Sequence, residues 1–356
     1  MSRPLVLLGL LAATLAGCSE GPSGASDTTP RTRRPPDAPP DADLLALVPD
    51  GAHLLVTVDL RRLRRFWRAR PWAKAARKVG GAVTRRLPGE LGAALLSQAD
   101  VLVLSLWLDG GAQGSLLALA RGADRGHRAL GAWTRRHLAA RRGARPADEY
   151  RGVPLWSGRR DATAVPTKRT VLSGPTPLVK HSLDLLRAVP GYASAREDRT
   201  LMALWRLVTG PGTGRAPVLA LAARFPPAMR QRLRTVLGLE QPPLRGALRI
   251  SLGSWVTVRG FLDCPDAAAA GRLIQRLKRA VSRAGSATLT RRFGLRGLLS
   301  RVQVHPEGAR VYLQWFAPVK RLDPALGRLV PLLRALSTPA KTPPPRKRAP
   351  APRPAL

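Results

Sequence analysis

Asparagine is absent from this chain of 356 residues, isoleucine occurs only at Ile250 and Ile274, and lysine at eight positions. A skew away from residues with A/T-rich codons points to a G/C-rich genome, in which arginine is the default cation. Acids are scarce as well, 22 Asp and Glu against 60 Lys and Arg, for a formal charge of +38. Codon usage does not explain that shortage, so part of the positive field calls for an anionic partner. Cysteine occurs twice, at Cys18 and Cys264. No apolar run approaches the ~20 residues that a membrane-spanning helix requires.

Catalytic motifs are equally sparse. There is no Gly-x-Ser-x-Gly elbow, no His-Glu-x-x-His pair and no Walker lysine loop. The five histidines, His53, His127, His137, His181 and His305, fall in different predicted elements. His127 and His137 are nearly three helical turns apart, too far for joint metal ligation. Asp59, Asp124, Asp263, Asp266 and Asp323 stand at predicted helix starts, where capping free amides is a sufficient role. Gly210, Gly212 and Gly214 follow a predicted helix, not a strand, and lack a lysine, so they read as a hinge. No cofactor and no metal is expected.

What the chain does have begins at its N-terminus. Arg3 is followed by the apolar run Leu5 to Ala13 and the small-residue exit Leu15, Ala16, Gly17, Cys18. This is the pattern of a cleaved export signal. Leu15-Ala16-Gly17-Cys18 resembles the lipobox of bacterial lipoproteins. The resemblance covers residues 1–18 and implies diacylglycerol on the Cys18 thiol, cleavage before it and acylation of the freed amine. Two or three acyl chains, at ~0.8 kcal/mol per buried methylene, make a lasting anchor. Ser19 stands where Asp favours inner-membrane retention, so the outer membrane, on its periplasmic face, is the expected address. An exported protein meets phospholipid, lipopolysaccharide and envelope proteins, not nucleic acid. With Cys18 acylated, no intrachain disulfide is possible, and Cys264 is expected to be a buried, inert thiol.

Residues 19–43 are rich in Pro, Ser and Gly and read as a disordered tether spanning about 25 to 30 Å. The body is divided into a first α+β half at 44–209, a Gly/Pro linker at 210–216 and a second half at 217–338. Each half reads as strand, helix, hairpin, helix, strands, helix. Hairpins dominate, which predicts mainly antiparallel sheet in two topologically similar halves with helices packed on one face. In that pattern the body is similar to uncharacterised envelope lipoproteins of bacteria, without a motif specific to one family. Among the helix starts, Thr176 is expected to cap with Pro177 in the first turn, and Asp323-Pro324 to open the last helix. A turn is expected at Pro306-Glu307-Gly308.

Residues 339–356 form a basic, Pro-rich tail whose Arg346, Lys347, Arg348 and Arg353 are candidate contacts for an anionic partner. Of the eight tryptophans most read as core, with Trp72 the best candidate for an exposed contact. The expectation is a non-catalytic, membrane-anchored envelope lipoprotein binding an anionic envelope component or a partner protein. The alternatives are a hydrolase of an envelope polymer, and a lipid carrier.

Overall fold

The computed structural model describes residues 42–70, 98–108, 114–122, 129–142, 148–158, 160–210, 216–287, 296–325 and 327. Cys18 and its lipobox, Trp72, Asp124, His127 and the tail cations Arg346, Lys347, Arg348 and Arg353 lie outside them.

After a short α1 (Ala42–Leu45) come β1 (Leu54–Asp59) and α2 (Leu60–Arg68). The pair β2 (Ala99–Leu108) and β3 (Gly114–Gly122) leads to α3 (Leu130–Arg142). Four short strands follow, β4 (Asp148–Tyr150), β5 (Val153–Ser157), β6 (Asp161–Ala164) and β7 (Thr170–Pro175), then α4 (Thr176–Leu186) and α5 (Arg199–Thr209). The remainder is β8 (Leu219–Arg224), α6 (Pro227–Leu237), β9 (Arg245–Leu252), β10 (Trp255–Asp263), α7 (Ala267–Ser286), α8 (Arg296–Leu299), β11 (Gln303–Glu307) and β12 (Arg310–Pro318). A helical stretch at 319–325 follows β12 directly.

The twelve strands make one open sheet in the order β11-β12-β10-β9-β8-β1-β2-β3-β7-β6-β5-β4, antiparallel at every pairing. The protein is therefore α+β around a sheet. β1 and β8 stand side by side near its middle, with Val56 opposite Leu221.

The helices cover both faces of this sheet, which corrects the expectation that they lie on one. Leu60, Leu63 and Trp67 of α2 and Leu130 and Leu138 of α3 pack with Val58 and Leu102. On the opposite face Val179 and Leu183 of α4 and Leu201, Leu204, Trp205 and Val208 of α5 pack with Leu55, Val103, Ala220 and Ala222. The cause is in the strands. Successive side chains of a strand point to opposite faces, and β1, β2 and β8 are apolar in both phases, so each needs cover on both sides. β10 alternates Val256, Val258 and Leu262 with Trp255, Thr257 and Arg259, so only one of its faces demands a helix.

Local rules settle several helix starts. Asp59 caps α2, its Oδ1 accepting from Arg62 N–H at 2.8 Å. Asp198 does the same for α5 through Leu201 N–H at 2.9 Å, and Asp266 for α7 through Ala269 N–H at 2.7 Å. Thr176 does not cap α4. Pro175 holds the N-cap position without a side-chain bond, and the Thr176 hydroxyl turns to the Arg160 carbonyl. Asp323 does not open the last helix either, because the chain is already helical from 319 and the carboxylate pairs with Arg70 at 3.0 Å. Pro306 and Glu307 belong to edge strand β11, and the turn falls at Gly308, whose φ of 58° suits a residue without a side chain.

Candidate functional site

Seven of the described acids are engaged by cations. Asp59 pairs with Arg62, Asp100 with Arg64, Asp148 with Lys180, Asp184 with Arg151, Asp198 with Arg224, Asp323 with Arg70, and Asp263 with both Arg245 and Arg310. Asp184 is the most deeply buried of them, 1% exposed, and also accepts from the Tyr150 hydroxyl at 2.9 Å. That hydrogen bond, with burial, pushes the Tyr150 phenol above its ordinary value. Arg151 has a φ of 53° beside Gly152 at 73° because the two form the tight turn between paired Tyr150 and Val153.

The described histidines are separated in the same way. His53 Nδ1 accepts from Leu108 N–H at 3.1 Å, His137 stacks on Trp133, His181 meets Tyr192 edge-on, and His305 stacks on Tyr312. No three His, Cys, Asp or Glu among the described residues are placed to hold a metal ion. Cys264 is buried, 5% exposed, and burial together with Asp263 and Asp266 pushes its thiol up to about 11. A thiol so placed is neutral and a poor nucleophile at neutral pH.

Cations, by contrast, gather on one surface. Between residues 227 and 287 there are eleven Arg or Lys and three acids, and α6 and α7 themselves contain no acid. On α7 the residues Ala269, Ala270, Leu273 and Ile274 are buried against Leu239, Cys264 and Val311. The 3.6-residue period then places Arg272, Arg276, Arg279 and Arg283 together on the opposite side, where all four are exposed, as is Lys278. None of the four bonds an acid among the described residues. Arg272 donates to Gln241 Oε1 at 2.8 Å, Arg276 to the Gly238 carbonyl at 3.1 Å, Arg279 to the Gln275 carbonyl at 3.3 Å and Arg283 to the Arg279 carbonyl at 3.4 Å. Arg276 reaches the residue that ends α6, a helix on which Arg232 and Arg234 are exposed. This two-helix ridge is the candidate site, a surface for anions. Its spacing is plain in the sequence, although the tail was the place where anion contacts were expected.

A second feature is a recess of about 370 Å³ between α2 and the ends of β8 and β9. Phe66, Val218 and Leu252 give it an apolar floor, and Arg62 and Arg65 stand at its rim. The described residues of its lining include no carboxylate and no histidine. No helix among the described residues is long and apolar enough to cross a membrane.

No family model matches this chain, and no curated protein does. Among solved structures it is similar to TP0453 in crystal forms I and III, at 10% identity and TM-scores of 0.43 and 0.42. The alignments cover 80% of this chain and 96% and 97% of theirs. Likeness at this level carries neither a family nor a function.

Proposed function

We propose that this chain is a bacterial envelope lipoprotein, exported by residues 1–18 and held at a membrane by acyl groups on Cys18, whose body binds an anionic envelope component without catalysing a reaction. The observation that carries the binding is the acid-free stripe Arg272, Arg276, Arg279 and Arg283 on α7. Near an anionic surface each cation contributes at most about 1 kcal/mol, and beyond about 8 Å salt screens it. The ridge therefore orients and recruits, while the acyl chains hold. The tail residues Arg346, Lys347, Arg348 and Arg353 add to the same field. Among the described residues, seven acids held in ion pairs and histidines kept apart favour a binding role over a hydrolytic one.

The body is further proposed to be a duplication, 44–209 and 217–338 joined by 210–216. Strand order supports this reading. Outward from the junction of β1 and β8 it runs β1-β2-β3-β7-β6 on one side, followed there by the additional β5 and β4, and β8-β9-β10-β12-β11 on the other, with a helix after β1 and after β8 and another after β3 and after β10.

The test is sedimentation of protein lacking residues 1–18 with vesicles. The account expects retention on vesicles containing anionic lipid, lost progressively as salt rises, and none on zwitterionic vesicles. Indifference to lipid charge would remove the ridge from the account. One observation favours a lipid carrier as a second reading, the apolar floor of the recess beneath Arg62 and Arg65. Lipid copurifying with the protein in mass spectrometry, and lost on Phe66→Asp, would support it.

A further inference from the structure

α5 covers the centre of one sheet face but not its far strands. On β10, β12 and β11 several side chains of that face remain exposed or half-exposed, among them Trp255, Thr257, Arg259, Phe316, Gln314 and His305. Register arranges the face in cross-strand rows. One row is Arg249, Arg259, Gln314 and Gln303, in which Arg259 pairs with Arg249 on one side and Gln314 on the other. Two arginines directly opposite are a destabilising arrangement in a sheet, and this row includes no carboxylate. Arg249 is 6% exposed, with its Nη2 at 3.3 Å from Ser251 Oγ, while Arg259 is exposed. The nearest acid along β10, Asp263, lies four residues on, about 13 Å at ~3.3 Å per residue, and is held by Arg245 and Arg310.

Four residues in the other direction stands Trp255, 45% exposed, with Phe316 edge-on to its ring at 6.2 Å. The Phe316 contact fixes the indole as a platform. The next aromatic row is already filled, since Arg310 lies over the Phe261 ring at 4.3 Å and His305 stacks on Tyr312 at 5.3 Å. Among the described residues the face thus offers the open ring of Trp255 and, about 13 Å away, the exposed guanidinium of Arg259 beside Arg249 and the Gln314 amide.

We propose that this face binds a phosphate-bearing oligosaccharide, one sugar ring stacking on Trp255 and a phosphate accepting charge-assisted hydrogen bonds from Arg259 beside Arg249 and Gln314. Guanidinium matches phosphate in geometry and charge. A single open ring separated from the cations by a strand's length suits a chain of two or three sugars better than stacked bases, which need successive aromatic platforms. The site stands on its own geometry, while the choice of a saccharide rests on the proposed envelope location.

Calorimetric titration of the mature chain with a bisphosphorylated glucosamine disaccharide tests it, beside the same sugar without phosphates, inorganic phosphate and a single-stranded oligonucleotide. Binding of the phosphorylated sugar should weaken about tenfold or more in Arg259→Gln and several-fold in Trp255→Ala, and should survive Arg276→Gln with Arg279→Gln. Arg259→Gln relieves the repulsion on Arg249, so its melting temperature should not fall, and lost binding cannot be ascribed to lost fold. Unchanged affinity in Arg259→Gln, equal affinity for inorganic phosphate, or tighter Arg259-dependent binding of the oligonucleotide would overturn the proposal. Affinity lost in the α7 double variant instead would assign the sugar to the ridge. If vesicles are not bound while the sugar is, the ridge account fails and this site stands.

Discussion

Arg276 Nη2 donates to the Gly238 carbonyl at 3.1 Å, so a cation of the α7 ridge sits on the last turn of α6. Gly238 is the left-handed residue that ends α6, with φ 60° and ψ 35°. A positive charge there meets the negative end of the helix dipole. The ridge is thus partly structural, and its two roles can be separated.

Arg276→Gln should cost about 0.5–1 kcal/mol by loss of the dipole interaction, read as a small fall in the denaturant midpoint. Arg279→Gln, whose bond stays within α7, should leave stability unchanged. Both should weaken retention on anionic vesicles to a similar degree. Vesicle binding that tracks stability and not charge would contradict a binding role.

Asp263 joins three elements, accepting from Arg245 at 2.8 Å and from Arg310 at 2.5 Å and 3.1 Å. Burial alone would raise its carboxyl, but the hydrogen bonds and charges of Arg310 and Arg245 outweigh burial and hold it below the ordinary value. A depressed carboxyl contributes stability above its unfolded pKa of about 4 and loses that contribution as pH falls through the folded value. The melting temperature should therefore drop below about pH 4. Asp263→Asn should destabilise by about 1–3 kcal/mol, discounted from a fully buried pair because both arginines are partly exposed, and should flatten that acid-side slope. An unchanged slope would show that the pairing is not what stabilises this corner.

Cys264, with its thiol near 11, should resist alkylation by iodoacetamide at pH 8 in the native protein and react fully in guanidinium. Mass spectrometry reads both states. Rapid native labelling would contradict its burial.

Gly131 is at the second position of α3, where an added Cβ would lie 2.7 Å from the Thr167 carbonyl and 2.8 Å from Val165 Cγ1. Its N–H donates to the Lys168 carbonyl at 3.0 Å, so α3 cannot back away without losing that bond. Gly131→Ala should cost about 1–3 kcal/mol, measured by chemical denaturation.

Features governed by local rules were legible before folding was considered. Asp59 precedes an amphipathic run and caps it, and the hairpin of β9 and β10 turns between Leu252 and Trp255 as the alternation requires. The cation stripe of α7 follows from the same period that buries Leu273 and Ile274. Choosing between Asp263 and Asp266 as a cap was not possible locally, because what removes Asp263 is Arg310, 47 residues away. The number of covered faces could have been read from the mostly apolar β1, β2 and β8, a signal outweighed by the prominence of hairpins. The row joining Arg249 to Arg259 and Gln314 needs the register of three strands at once, and no single segment contains it.

The envelope location depends on acylation at Cys18. Growth of cells expressing the full chain with radiolabelled palmitate tests it most directly, beside Cys18→Ser. The account predicts label in the native protein, none in the serine variant, and a serine variant that stays unprocessed and is lost from the outer-membrane fraction. An unlabelled native protein, or a serine variant of unchanged size and location, would contradict it.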